Sequence, residues 1–336
     1  MLKMLHMAAR RSHLSDRPLF VAALGEFGEL AVREQGHELG DEEAAAQMRE
    51  ADVLITMWGA RRIPRALAVD PGRVRYILNL TGTCRGFIPI DIIRSPIVVT
   101  NWGDAAAGCV AEGAMALLLA VLKDLRGRME GIRGGSAAGA GRMGLPSGTL
   151  KGLRLGIYGC GFIGCRFVEL VAPFNPEMFA YDPFANPIPD LCRPVASLEE
   201  LFDRSEAVAI HAGLTDATRQ SVTAGLLARL PDHGILINTA RGEIVDQEAL
   251  FAELKSGRLR AGLDVLDHND HLPADHEART WPNLLLTNHD IASAHWPRRP
   301  PTLSESDRVA LDNLKRFVSG QPLRFQMDER RYALST

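Results

Sequence analysis

Charge of one sign is missing from this chain. Its 38 Lys and Arg against 41 Asp and Glu leave a formal net charge of -3, so no global basic field draws it to nucleic acid or to a membrane surface. Long apolar runs are missing too. The longest stretch low in charge, Gly113–Leu122, is far short of the roughly 18 residues that a membrane span needs. Cysteine is scarce: five residues, at 84, 109, 160, 165 and 192, are odd in number and lack metal or redox spacing. That fits a reducing cytoplasm and no disulfide scaffold. The basic start, Met1–Arg11, has no long apolar core and no small-residue cleavage site, so a secretory signal is not expected.

What is present is ordinary globular material. With 336 residues, 46% hydrophobic, 24% charged, 31 Gly and 19 Pro, the chain has room for about two domains, each with its own core. Composition says nothing of chemistry.

In the first third, short apolar runs alternate with amphipathic stretches. The pattern predicts strands at Leu2–Ala8, Glu29–Val32, Asp52–Met57, Val74–Leu80 and Ile97–Asn101, a capped helix at Ser15–Leu24 and another at Glu42–Arg49. Val110–Leu125 is apolar all round and rich in Ala and Leu, which predicts a long buried helix. Gly131–Gly148 reads as a connector or arm, dominated by Gly and Ala and without apolar periodicity. From Leu153 onwards, apolar runs at Leu153–Tyr158, Met178–Tyr181, Ala207–His211, Ile235–Asn238, Gly262–Val265 and Leu284–Thr287 alternate with helical or loop segments. This is the signature of a parallel sheet with crossovers. A last helix, Ser304–Ser319, leads to a short tail.

Gly159-Cys160-Gly161-Phe162-Ile163-Gly164 follows one of these strands and opens a predicted helix, Phe162–Leu170. The first Gly permits a tight turn, the second lets the backbone approach a pyrophosphate, and the third allows close helix–sheet packing. Asp182 ends the next strand at the place, about 20 residues on, where an acid accepts the ribose hydroxyls. It would repel a 2′-phosphate, and Pro183 follows it rather than an Arg, which favours NAD over NADP. The same glycine pattern at Gly139–Gly144 has no strand before it and reads as flexible loop.

These residues resemble the D-isomer-specific 2-hydroxyacid dehydrogenases, from about Asp52 to Leu323. The landmarks are Leu155–Gly164, Ala180-Tyr181-Asp182-Pro183, His211-Ala212-Gly213-Leu214-Thr215, Asn238–Asp246 (Asn-Thr-Ala-Arg-Gly-Glu-Ile-Val-Asp) and Leu263-Asp264-Val265. The resemblance implies an α/β, FDH-like architecture of two Rossmann-like domains with parallel sheets. Residues 1–105 and 298–336 would form the substrate domain, and 106–297 an inserted NAD-binding domain. It also implies a homodimer through the helix at Val110 and the arm after it.

The same resemblance assigns cofactor contacts to Gly159, Gly161, Phe162, Ile163, Gly164, Asp182, His211, Thr239, Ala240 and Asp264, the last holding the nicotinamide carboxamide. Thr81-Gly82-Thr83 matches the loop whose backbone N–H groups bind the substrate carboxylate. Asn101 follows the next strand, and Trp58 is placed to wall the pocket, although simple loop packing would also explain it. Arg241, just past a strand end, can hold a carboxylate by bidentate hydrogen bonds, the bland alternative being a surface arginine capping a helix. His289 matches the general acid/base, with a satisfied core histidine and His295 as alternatives.

Two departures fall on the catalytic pair. Asn269 stands where the family has its Glu, and counting back from Leu272-Pro273 puts Asp270 there instead. Asp290 directly follows His289, where the family continues with Ile, and could itself contact the imidazole. The His- and Asp-rich stretch Asp267–His276 invites a metal reading, but Pro273 breaks its register and no second cluster has metal spacing. No metal is expected. Two functions follow. One is an NAD-dependent oxidoreductase of small 2-hydroxy or 2-keto acids in the cytoplasm, without nucleic-acid or membrane partners. The other is an NAD(H)-binding sensor or interaction protein with weak turnover or none.

Overall fold

The computed structural model describes residues 1–135, 144–185, 187–292 and 302–335. The chain divides into two compact units: Met1–Ala106 with His295–Thr336, and Ala107–Ala294.

The first unit is built on strands β1 (Leu2–Met7), β2 (Gly28–Arg33), β3 (Val53–Thr56), β4 (Tyr76–Asn79) and β5 (Val98–Thr100). All pair in parallel, in the order β2-β1-β3-β4-β5. β3 and β4 are buried along their whole length. A parallel sheet has to be covered on both faces, which is why their sequences are near-continuous apolar runs. One face packs on α2 (Asp41–Arg49) and α3 (Ile90–Ile93), and the other on α1 (Pro18–Leu24) and the late helix α11 (Glu305–Val318).

The second unit opens with α4 (Ala107–Leu122) and α5 (Leu125–Arg133). It continues through β6 (Arg154–Tyr158), α6 (Phe162–Val171), β7 (Glu177–Tyr181), β8 (Arg193–Pro194), α7 (Leu198–Arg204) and β9 (Ala207–Ile210). It ends with α8 (Ala224–Leu227), β10 (Ile235–Asn238), α9 (Gln247–Lys255), β11 (Arg260–Leu263), α10 (Asp267–Asp270) and β12 (Leu284–Leu286). Its sheet is parallel with the order β12-β11-β10-β9-β6-β7-β8. The order reverses beside β6, so the loops leaving β6 and β9 flank the switch point where open α/β sheets bind ligands. Phe167, Val168 and Val171 of α6 pack with Leu118 and Val121 of α4 on one face, and Leu250 and Leu254 of α9 cover the other.

The structure departs from the sequence expectations in four places. The helix expected at Ser15 starts at Pro18, after a tight turn at Leu14–Asp16, and no side chain caps it. Proline at the first helical position starts it instead, because its missing N–H would have been unpaired there anyway. The long helix at 110–125 begins at Ala107 and stops at Leu122, where Asp124 turns left-handed (φ 48°) before α5 starts. The glycine connector therefore begins inside α5. The second glycine match falls largely on 136–143, outside the described residues. The short tail carries a helix of its own, α12 (Glu329–Leu334), capped by Asp328. The last long helix follows expectation: Ser304 and Asp307 form a reciprocal capping box at its start.

Candidate active site

The glycine turn shows why two of its positions admit no side chain. Gly159 has φ +96°, and a Cβ there would lie 2.4 Å from the backbone nitrogen of Ala212. A Cβ on Gly164 would lie 2.0 Å from the carbonyl oxygen of Gly159. Gly161 differs: a Cβ would meet nothing within 4 Å. The turn thus presents open space at its middle glycine and the N-terminus of α6 behind it, which no side chain caps. Phe162, Ile163 and Gly164 form the first turn of that helix, where backbone N–H groups and the dipole favour an anion. Asp182 ties the turn to its own loop. One carboxylate oxygen accepts from the Cys160 N–H (2.7 Å), the other from Phe184 (2.8 Å) and Ala185 (3.0 Å).

Two polar side chains at the same sheet edge are buried without a hydrogen-bond partner among the described residues: the Thr239 hydroxyl and both ring nitrogens of His211. The His211 ring lies tilted against Phe167 with centroids 4.7 Å apart, and burial pushes its pKa down to about 3, so the imidazole is neutral. Next to Thr239, Asn238 builds the turn: its amide accepts from the Ala240 N–H (3.0 Å) and donates to the Arg241 carbonyl (2.8 Å). An anion-ready helix end, open space over Gly161, a fixed carboxylate and an orphaned hydroxyl together fit a dinucleotide.

Arg241 follows that turn. Burial presses its guanidinium below its usual range, and Glu243 and Asp270 oppose the shift. Gly242 seats the arginine turn against the chain leading to Asp270, since a Cβ there would lie 1.9 Å from the Leu266 carbonyl carbon. The Nδ1 of His289 lies 2.7 Å from one carboxylate oxygen of Asp270, whose other oxygen accepts the Leu266 N–H at 2.6 Å. Asp270 and His289 both adopt left-handed backbone, with φ 60° and 53°, at a cost of about 1 kcal/mol or more each.

Asp264, buried at the end of β11, holds the second of these turns. Its carbonyl accepts the His289 N–H (2.8 Å), and one carboxylate oxygen accepts from Thr287 Oγ1, Asp290 N–H (3.0 Å) and Ile291 N–H (3.2 Å). The structure thus brings Asp270 to the imidazole, while the Asp290 backbone bonds to Asp264. The Asn269 side chain and all of His295 lie outside the described residues. The His289 side chain is 46% exposed, unlike a core histidine.

In the first unit, the loop after β4 is organised by an amide that sequence reasoning passed over. Asn79, buried at the strand end, donates to the carbonyls of Thr81 (3.0 Å) and Thr83 (2.9 Å) and accepts from Thr56 Oγ1 (2.9 Å). Asn101 donates to the Gly82 carbonyl at 2.7 Å. All three carbonyls of the Thr81-Gly82-Thr83 loop are therefore engaged. No backbone acceptor takes the N–H of Gly82 or Thr83 among the described residues. The available signal for Asn79 was a lone amide closing the buried run Tyr76-Ile77-Leu78. Trp102 packs against this loop, its Nε1 2.7 Å from where a Gly82 Cβ would stand. Trp58, 51% exposed, meets Trp102 edge-on at 5.3 Å.

Comparison with known proteins gives this geometry its context. The family described as D-isomer specific 2-hydroxyacid dehydrogenase, NAD binding domain, matches residues 115–290. Hydroxypyruvate reductase of Thermotoga maritima is 31% identical over 296 residues, covering 86% of this chain and 92% of that protein. Glyoxylate reductase of Pyrococcus furiosus is 29% identical over 286 residues, covering 82% and 83%. Among solved structures, the NADPH-dependent glyoxylate/hydroxypyruvate reductase of Sinorhizobium meliloti superposes with a TM-score of 0.78 at 22% identity, over 100% of this chain and 99% of that one. At that identity the likeness speaks for the fold, two Rossmann-like domains. The chain is an oxidoreductase and belongs to the D-isomer-specific 2-hydroxyacid dehydrogenases.

Proposed function

We propose that this chain reduces a small 2-keto acid to the 2-hydroxy acid with NADH, and runs the reverse reaction with NAD. The observation that carries the reading is the His289–Asp270 contact at 2.7 Å. A carboxylate accepting from Nδ1 fixes the tautomer and leaves the opposite ring nitrogen to deliver a proton to the ketone or remove one from the alcohol. In this reading Arg241 grips the carboxylate and the carbonyl oxygen, steadying the negative charge that develops there. The N–H groups of Gly82 and Thr83 bind the carboxylate, supported by Asn101, and Trp58 bounds the substrate side chain.

Bound at Gly159–Gly164, the nicotinamide cofactor would supply the hydride. Ala240 would shape the turn beneath it, the Thr239 hydroxyl would gain a partner from it, and His211 would underpin the glycine turn. The remaining carboxylate oxygen of Asp264 would take the carboxamide. Asp182 favours NAD, because its carboxylate repels a 2′-phosphate. Relatives named for hydroxypyruvate and glyoxylate put those two acids first on the substrate panel, with pyruvate third.

The test is NADH and NADPH oxidation by purified protein across that panel, with Arg241→Ala alongside. NADH-linked turnover that the variant loses by about 1,000-fold or more supports the assignment. Full activity in Arg241→Ala overturns it, and tight NADH binding without turnover on any acid would favour the sensor reading.

We also infer a homodimer. Leu125, Met129 and Ile132 lie at helical spacing on α5, exposed at 49%, 48% and 64%, and no residue of that helix is buried. A second copy is the occupant that the resemblance implies for this face, and light scattering of Ile132→Asp, expected to be monomeric, tests it. Five free thiols fit a cytoplasmic location.

A further inference from the structure

We propose that Arg85 is a positioning residue that clamps the C-terminal segment over the Thr81–Thr83 loop and so holds that loop in its binding shape. This rests on reading that loop as the carboxylate site. Arg85 lies two residues beyond Thr83. Its Nε donates to the carbonyl of Tyr332 (3.3 Å) and its Nη2 to that of Ala333, both in the last turn of α12. The Tyr332 carbonyl is shared with the N–H (3.2 Å) and hydroxyl (2.9 Å) of Ser335, and a guanidinium at a helix C-terminus is also favoured by the dipole.

The segment is footed on both sides of this clamp. Before α12, the Met327 N–H donates to the Val99 carbonyl at 2.8 Å and the Met327 side chain is buried. Within α12, Glu329 pairs with Arg94 Nε at 2.9 Å, and the Tyr332 hydroxyl donates to the Ile88 carbonyl at 2.7 Å. After it, the Thr83 hydroxyl reaches the Ser335 carbonyl at 3.5 Å.

The loop is thus held from within by Asn79 and from outside by α12. Cys84 is buried in the core just beyond the loop. The outer hold therefore falls on the exposed corner at Arg85-Gly86, where a Cβ on Gly86 would meet nothing within 4 Å, and on Thr83, which reaches the Ser335 carbonyl. A binding loop that is not pre-organised spends part of its interaction energy on ordering, so affinity for the anion falls while the reacting groups elsewhere are untouched.

Oxalate, a two-carboxylate probe that needs no turnover, gives the direct readout by calorimetry on the NADH-loaded full chain. Arg85→Ala should weaken oxalate binding about 5- to 10-fold, the effect of one to two hydrogen bonds. Arg85→Lys should recover part of the loss, and Tyr332→Phe should show a smaller loss in the same direction. KM for the keto acid should rise by the same factor, with kcat and NADH affinity within about twofold of wild type. Should Arg85→Ala fail to fold, Tyr332→Phe carries the comparison.

Unchanged oxalate affinity in the folded variants overturns the clamp. So does a loss of oxalate and NADH affinity together, which would mark a merely structural role. If the wild type binds no oxalate, the carboxylate-site reading falls and the clamp with it. If it binds oxalate but turns over no keto acid, the proposed reaction fails while the clamp is still judged on Arg85→Ala.

Discussion

Both units carry their candidate functional groups at loops leaving the ends of parallel strands, but they build them by opposite means. In the second unit the working atoms are side chains, Arg241, Asp270 and His289, and the backbone is bent to serve them. Two residues turn left-handed, and Asp264 gathers the hydroxyl and N–H groups of the following turn. In the first unit the candidate binding atoms are backbone N–H groups, and side chains are spent on the backbone. Asn79 and Asn101 engage the three carbonyls of the Thr81–Thr83 loop. A site made of side chains has a chemical identity at each position. A site made of N–H groups has none, and depends on whatever gathers the carbonyls. The two should therefore fail differently.

The sharpest break is at the imidazole. His289→Gln should lower kcat by about 100- to 10,000-fold, the usual contribution of a positioned proton donor, with NADH affinity within about twofold of wild type. Asp270→Asn should fall less, because an amide can still orient the ring but cannot stabilise its charged form. Steady-state rates with calorimetric NADH binding check both. Equal kcat in wild type and Asp270→Asn would remove Asp270 from the mechanism.

Asn79→Ser is the matching change in the first unit. The amide donates to two carbonyls, and losing it removes hydrogen bonds of about 1 kcal/mol each, although the Thr81 hydroxyl still reaches the Thr83 carbonyl (2.9 Å) and the Trp102 N–H the Thr81 carbonyl (3.4 Å). Here KM for the keto acid should rise about tenfold or more while kcat moves little. A kcat effect as large as that of His289→Gln would erase the contrast between the units. Asp182→Ser probes the second unit's other fixed carboxylate. The NADH/NADPH preference should narrow by about tenfold, as the repulsion of a 2′-phosphate is relieved.

That contrast also governs what could be read from the sequence. The strands of both sheets follow directly from apolar runs, and the glycine turn follows from three positions with one steric reason each. Arg241 and His289 were legible because side-chain chemistry and flanking residues point the same way. The partner of His289 was open among Asn269, Asp270 and Asp290, because a left-handed turn of one residue decides which carboxylate reaches the ring, and spacing does not encode φ. Asn79 passed as the polar end of a buried strand, since its role depends on where three later carbonyls turn. The helix within the tail leaves no signal in the sequence because α12 is too short for periodicity, and its hold comes from Arg85 and Arg94, distant in sequence. What was missed in both units is tertiary context rather than chemistry.

The smallest effect expected separates two buried histidines, one in each unit. His6 in β1 is pushed down in pKa by burial, but the Ile55 carbonyl at 2.9 Å, bonded to its Nδ1, pulls it back up. His211 has burial alone and lies at about 3. A histidine whose folded value is depressed resists protonation in the folded state, while the unfolded chain binds its proton near pH 6.5. Stability from such a group is complete above about 6.5 and is lost as the pH falls towards the folded value. Between pH 6 and 4, His211 should therefore cost about one proton's worth of stability per pH unit, a fall in melting temperature of about 2 °C per unit. His211→Leu keeps an apolar contact for Phe167 without the two unpartnered nitrogens, so its melting temperature should stay flatter over that range. The same comparison with His6→Leu should show less flattening, because the Ile55 bond already lessens the mismatch. Melting curves from pH 7.5 to 4 that run parallel for wild type and His211→Leu would mean that the ring is not neutral and enclosed under the glycine turn. Water or an unseen acceptor would then be reaching it, and the turn would be less tightly closed than the contacts of Gly159 and Gly164 require.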